Sequence, residues 1–321
     1  MSEKALKRIP LDKLMDLKVD YAFKQMFGSE KNKEITVVFL NAILKRTGRD
    51  IIKEIIFKNV EIGGEYLNDK QSRLDILVKT QDDQQVNVEI QFTNKYDLVK
   101  RTIYYWSQVY SDQIAKGMGY AELNPTITLN ILNFNLFSET DLFHTTFHLY
   151  EDEEKFRMDN IMEFHFIEIP KLLRHWKEER LDPWNDVLAR WLLLLGIVDH
   201  RKDRVYEDIY KELEEIAMKD EHLMDAFAIW EEISSTPDGL LAYRTRLKQV
   251  MDEESIIREA ELREKAALEK GLEKGLEQGT QIANEKTAYR LLQTNLSLED
   301  IAKATELSIE RVEELKKKAG F

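Results

Sequence analysis

The chain has 321 residues, 43% of them hydrophobic, with no cysteine and a net charge of −13. That length and apolar content suffice for a large buried core and for more than one domain. The lack of thiols excludes disulfides and thiolate metal sites, and fits a reducing cytoplasm. The charge is unevenly spread: residues 1–140 hold 20 basic and 19 acidic side chains, residues 1–58 alone hold 13 and 8, and the stretch after 140 holds 27 and 41. The N-terminal part is therefore able to meet a phosphate backbone, weakly and in a salt-sensitive way. The opening "MSEKALKRIP" lacks the apolar core of a signal peptide, and the longest apolar run, "WLLLLGIV" at 191–198, is too short for a bilayer. The expectation is a cytoplasmic protein with no membrane partner.

In chain order, "KNKEITVVFLNAILKRTG" (31–48) has helical apolar spacing, with Gly48 as its stop. "IIKEIIFKNVEI" (51–62) is rich in β-branched residues and predicts a strand, and a hairpin follows over 73–92. "YDLVKRTIYYWSQVYSDQIAKGMGY" (96–120) predicts a long helix ending at Gly117 or Gly119, and "TITLNILNFNL" (126–136) a strand. "FHTTFHLYE" (143–151) and "EFHFIEI" (163–169) are further strand candidates, the second ended by Pro170. This order predicts an α/β core with a mixed sheet. From 171 to 250 the pattern is helical, a packed extension with no chemistry of its own. "EKAALEKGLEKGLEQGTQIA" (264–283) puts Ala267, Gly271, Gly275, Gly279 and Ala283 on one stripe beside Leu268, Leu272 and Leu276. Glycine costs a helix roughly 1 kcal/mol relative to alanine, so the stripe is either a close-packing, self-associating helix or a flexible connector. Over 286–321, Ser297 and Ser308 stand at N-cap positions of a helix-turn-helix-like pair. Its second helix opens on Glu310, Glu313 and Glu314, which would repel DNA at the base-reading end, so an interaction domain is the better reading. The expected division is 1–170, 171–250, 251–285 and 286–321.

The chemistry concentrates in "RLDILVKTQDDQQVNVEIQ" (73–91). At strand spacing Arg73, Asp75, Leu77 and Lys79 share one face, with Leu74, Ile76 and Val78 on the other; Asn87, Glu89 and Gln91 share a face of the second strand. The numbers of Asp75 and Glu89 are symmetric about Asp82, so an odd-numbered loop centred there sets the two carboxylates across from each other. Like charges so placed repel unless a cation lies between them. Mg²⁺ needs only one or two carboxylates, with waters and phosphate oxygens completing its octahedron. The alternative is an amphipathic hairpin with a solvated polar face.

"LKVDYAFKQMFG" (17–28), "FLNAIL" (39–44), "RLDILVKT" (73–80), "VNVEIQ" (86–91), "KRTIYYWSQVYSDQIAKGMGY" (100–120), "FHFIEIPKL" (164–172) and the EKG-repeat tail occur in that order. Together they resemble the Rpn family of recombination-promoting nucleases and transposases, within the PD-(D/E)XK nuclease superfamily. The resemblance covers nearly the whole chain. It implies a restriction-endonuclease-like core and a Mg²⁺-dependent DNA endonuclease, with Mn²⁺ able to substitute, linked to recombination, horizontal transfer or phage defence. Residue by residue, Asp75 matches the central aspartate, Glu89 the acid of the (D/E)XK pair, and Gln91 the position usually held by lysine. Lys79 or Arg101 could supply the missing charge.

Asp20 is a candidate further metal ligand, or else an N-cap for the helix it opens. Glu34 is better read as a favourable charge at a helix N-terminus. Arg101, Tyr105 and Gln108 share a helix face and are candidates for DNA contact, or else an amphipathic face packed on the sheet. His144 and His148 could share a strand face, with nothing nearby to complete a zinc set. A homo-oligomer formed through the C-terminal helices would let two sites act on two strands. The rival reading is a non-catalytic DNA-binding or scaffold protein on the same fold. Strand joining proper lacks a third, widely spaced acid.

Overall fold

In this computed structural model, which describes residues 9–45, 48–62, 72–94 and 97–320, alternating segments build a six-stranded mixed sheet, two small two-stranded sheets and a set of helices. The chain forms α1 (Asp20–Phe27), α2 (Lys33–Leu44), β1 (Ile55–Phe57), β2 (Glu61–Ile62), β3 (Ser72–Arg73), β4 (Ile76–Thr80), β5 (Gln85–Gln91), α3 (Leu98–Ser111) and β6 (Thr126–Leu132). It continues through β7 (His144–His148), β8 (Met162–Glu168), α4 (Ile169–Lys177), α5 (Val187–Gly196), β9 (Val198–Asp199), β10 (Arg204–Val205), α6 (Glu207–Ala217) and α7 (Glu221–Ser235). Last come α8 (Pro237–Leu291), α9 (Leu298–Thr305) and α10 (Ile309–Ala319). The main sheet has the order β1-β4-β5-β6-β8-β7. β5, β6 and β8 run parallel, while β1–β4, β4–β5 and β7–β8 pair antiparallel. The α/β class expected from the sequence is what forms.

The parallel strands require both faces to be covered, and the pleat delivers it. Ile76, Val78, Val86, Val88, Ile90, Ile127, Leu129 and Ile131 join the large cluster that also holds α1, α2 and the helices of the extension. On the other face, Leu98, Trp106, Tyr105 and Val109 of α3 pack on Leu77, Leu132, Phe164 and Phe166. The large cluster runs from Leu14 to Val250 without a break at residue 170.

Several element ends differ from the pattern reading. The run 51–62 divides into β1 and β2. α2 stops at Leu44, where Lys45 takes the left-handed conformation (φ 51°); Gly48 (φ 63°) belongs to the next turn. α3 stops at Ser111, six residues before Gly117, and the Gln113 amide then ties the chain to the Asn124 carbonyl and the Thr126 hydroxyl at the head of β6. β6 itself ends at Leu132. Pro170 sits in the first turn of α4, where its missing N–H costs nothing. The opening segment 1–8, and residues 46–47 and 96 of the expected helices, lie outside the described residues.

By contacts, the chain divides into two compact units, Met1–Glu254 and Ser255–Phe321. In the second, Ala288, Ile301, Ala302, Val312 and Leu315 form a small core. Ser297 and Ser308 both act as N-caps, accepting from the amides of Asp300 and Arg311. The EKG repeats are helical, and Leu268, Leu272 and Leu276 are exposed. No helix among the described residues is long and apolar enough to cross a membrane.

Candidate active site

The β4–β5 hairpin closes through a three-residue loop. Thr80 and Gln84 pair at its base, the Thr80 amide donating to the Gln84 carbonyl at 3.0 Å, and Asp83 takes φ 62° to complete the turn. The register Ile76↔Val88, Leu77↔Asn87, Val78↔Val86 is symmetric about Asp82 and, carried one residue further, sets Asp75 opposite Glu89. At that level the ladder ends. β4 begins only at Ile76 while β5 continues to Gln91, so the Ile90 amide donates to Asp75 Oδ2 instead (2.9 Å), and the Asp75 amide donates to Glu89 Oε1 (3.3 Å). Each carboxylate is thus held by the backbone beside the other.

The bend at Asp75 alters the faces. Leu74 packs with Leu77 and Val109 under α3, not with Ile76 and Val78 as strict alternation predicts. Nor is the Glu89 face a solvated one: Asn87 is fully buried, Glu89 is 5% exposed and the Asp75 side chain 10%. Burial first, and the Asp75 charge second, push the Glu89 carboxyl up to about 8; burial likewise raises Asp75, against the opposing pull of Lys24.

Lys24 is a residue the pattern reading missed. Ala22, Phe23, Met26 and Phe27 bury one side of α1, which leaves Asp20 and Lys24, four apart, on the other. Gly28 allows the end of α1 to lie against β4: a Cβ there would come 2.9 Å from the Lys24 carbonyl oxygen and 3.3 Å from Ile76 Cγ1. The Lys24 ammonium reaches Asp75 Oδ1 at 2.7 Å. Val19, not Asp20, occupies the N-cap position of α1; Asp20 is the first helical residue, and its Oδ1 accepts from the Tyr21 amide and from Arg246 Nε at 2.7 Å. Its charge contributes to raising Asp75, so it stands near the pair.

From α3, Arg101 Nη2 donates to Gln91 Oε1, and Gln91 Nε2 lies 3.4 Å from Glu89 Oε2, so the amide links the guanidinium to the carboxylate. The Tyr105 ring lies 5.9 Å from the Arg101 guanidinium. A cavity of about 290 Å³ brings Asp20, Lys24, Asp75, Glu89, Gln91, Arg101 and Tyr105 together. Gln108 is outside it. Lys79 is also elsewhere, paired with Asp83 beside a different cavity, because its position along β4 is four residues from the carboxylates. Glu34 is exposed in the first turn of α2.

The helical extension, in which the sequence showed no chemistry, borders the cavity too, through Arg246, Val250 and Glu253 of α8. It also anchors the approach to α1. The Trp230 indole donates to the Met15 carbonyl, the Asp16 amide donates to the Tyr243 hydroxyl, and buried Lys18 binds Asp16 and the carbonyls of Leu195 and Val198. His144 and His148 do find partners: His144 lies 2.8 Å from His165, and His148 and His165 both meet Glu163. Burial, with His165 second, pulls His144 down to about 3, so it is neutral near pH 7. Among the described residues no group of three or more His, Asp and Glu is arranged to hold a metal. The Asp75–Glu89 pair offers oxygen donors only, a set that suits a cation needing one or two carboxylates with solvent and substrate oxygens.

Comparison with known proteins adds the family. The model of the PD-(D/E)XK nuclease family transposases matches residues 17–260, which include the whole hairpin, α1 and the Arg246 segment. No curated protein and no solved structure matches the chain. With three quarters of its length covered by that match, the chain belongs to the PD-(D/E)XK nuclease family of transposases.

Proposed function

We propose that the protein is a metal-dependent DNA endonuclease that hydrolyses phosphodiester bonds, with Asp75 and Glu89 holding Mg²⁺, or Mn²⁺ in its place. The observation that carries this reading is the pair itself: two buried carboxylates, locked together by main-chain hydrogen bonds at the open end of a hairpin, in a cavity bordered by basic side chains. A divalent cation there would lower the pKa of a bound water and offset charge on the phosphate. Asp20 is available as a further oxygen donor, restrained by Arg246. Gln91 orients water or a phosphate oxygen, and Arg101 and Tyr105 border the path of the DNA backbone. The natural setting is recombination or phage defence in the cytoplasm. The tail associates with a second copy through the Leu268–Leu272–Leu276 face, giving a homo-oligomer.

Plasmid nicking tests this. Cutting should require Mg²⁺ or Mn²⁺, stop with EDTA, and be abolished in both Asp75→Ala and Glu89→Ala. The rival reading, a non-catalytic DNA-binding or scaffold protein, draws on Gln91 standing in the lysine position with its carbonyl already bound by Arg101. DNA binding with no cutting under any divalent cation would favour it.

A further inference from the structure

A glutamine at 91 cannot place a positive charge at a reacting phosphate, so the charge must come from elsewhere around the cavity. Its basic side chains are Lys18, Lys24, Arg73, Arg101 and Arg246. Lys18 is buried and bound to Asp16 and two carbonyls, Arg101 is on Gln91, and Arg246 is on Asp20 and Gln249. Arg73 is exposed on β3. Among the described residues Lys24 is the one whose ammonium sits on a carboxylate of the pair, 2.7 Å from Asp75 Oδ1, with about a third of its side chain open to solvent.

Resting on the nuclease reading above, we propose that Lys24 supplies the charge at the reacting phosphate that Gln91 cannot, and that its ammonium is held on Asp75 until that oxygen is given to a divalent cation. The physical reason is competition for one oxygen. An ammonium at 2.7 Å and a cation at its usual coordination distance of about 2.1 Å cannot share one carboxylate oxygen without strong mutual repulsion. Lys24 must then leave Asp75, but not the cavity: α1 is pinned by its buried face and by Gly28 against β4. A lysine suits this exchange because its compact charge rides on a flexible stem, whereas a guanidinium would grip the carboxylate in a two-bond fork. The released ammonium next meets the anion that enters the cavity, a phosphate of the DNA backbone. The ion pair with Asp75 is thus a resting position that keeps two buried carboxylates from facing each other uncompensated.

The test uses the full chain, comparing wild type with Lys24→Gln, which keeps a donor for Asp75 but no charge, and with Lys24→Gln/Gln91→Lys. Three quantities are read: Mn²⁺ affinity by calorimetry without DNA, duplex affinity by anisotropy in Ca²⁺, and cutting in Mg²⁺. Lys24→Gln should bind Mn²⁺ several-fold more tightly, hold DNA more weakly, and cut about 100-fold more slowly, the usual scale for removing one charge-stabilising donor. Restoring a lysine at 91 should recover about tenfold or more of the cutting. Weaker Mn²⁺ binding by Lys24→Gln would overturn the proposal, because Lys24 would then only shape Asp75. Cutting equal to wild type would overturn it as well, and so would a Lys24→Gln chain that stays unfolded even with Mn²⁺ present, because the cation should replace the ammonium as the partner of Asp75. A wild-type protein that binds Mn²⁺ yet never cuts would sink the nuclease reading instead, and the Mn²⁺ comparison would still decide whether Lys24 and the cation share Asp75.

Discussion

The buried Glu89 carboxyl costs the folded protein stability once it ionises. Its folded-state pKa is raised from 4.5 to about 8, chiefly by burial. Between those values the folded protein binds a proton that the unfolded chain has released, so stability is full below about 4.5 and declines as pH rises through 8. Glu89→Gln keeps the shape without the charge. Urea unfolding of metal-free protein should show the variant more stable at pH 8.5 by on the order of 5 kcal/mol, with the two curves converging near pH 4.5. Parallel curves would mean the carboxylate is not buried as described. On the nuclease reading the same variant should not cut, and a gain in stability together with a loss of cutting would show function held against stability at this site. This residue-scale pairing was legible in the sequence because a hairpin is local: symmetry about Asp82 is enough to place Asp75 against Glu89. Lys24 and Arg246 were not legible. They meet the site from α1 and α8, and Arg246 reaches Asp20 across 226 residues. No spacing rule spans that distance.

At the scale of elements, the junction of β8 and α4 shows a family-like motif at work in folding. In "FHFIEIPKL", Glu168 and Lys171 are both buried and pair at 2.6 Å. Glu168 Oε1 also accepts from the amides of Leu136 and Phe137, while the Lys171 ammonium donates to the carbonyls of Phe137 and Thr140. The pair therefore fastens the loop after β6, which has few backbone bonds of its own, onto the end of β8. Removing one partner of a buried, hydrogen-bonded pair costs about 3–5 kcal/mol, because the other charge is left without compensation. Lys171→Met should lose that much in chemical unfolding, and Glu168→Gln/Lys171→Met should lose clearly less. A single-variant loss below about 1 kcal/mol would show that the loop does not depend on the pair. The strand itself was plain from its apolar alternation, and the helical run after 171 from its leucine spacing. What the sequence could not reveal was where elements stop. Gly48 and Gly117 looked like helix ends, yet α2 ended earlier on a left-handed Lys45, and α3 where Gln113 could tie down the chain to β6. Such tertiary contacts overrule local stop signals.

At the scale of the molecule, the large core of the first unit closes by Val250, with Tyr243 and Val250 its last buried side chains on α8. A chain of residues 1–254 should therefore fold with little loss of thermal stability, and, on the nuclease reading proposed above, should still nick plasmid in Mg²⁺. Within the second unit the glycines of the EKG repeats pose a sharper question. Among the described residues a Cβ at Gly271, Gly275 or Gly279 would meet nothing within 4 Å, and Leu268, Leu272 and Leu276 stay 64–74% exposed, so no described residue requires glycine there. Changing all three to alanine should stabilise the isolated helix by roughly 1 kcal/mol per site. If a second copy packs closely along that stripe, the added methyl groups hold the two helices apart. The triple variant would then be more helical by circular dichroism and yet smaller by sedimentation. Helicity and assembly rising together would place the contact between copies elsewhere, and leucine-to-lysine changes at 268, 272 and 276 would then leave the sedimenting mass of the wild-type chain unchanged.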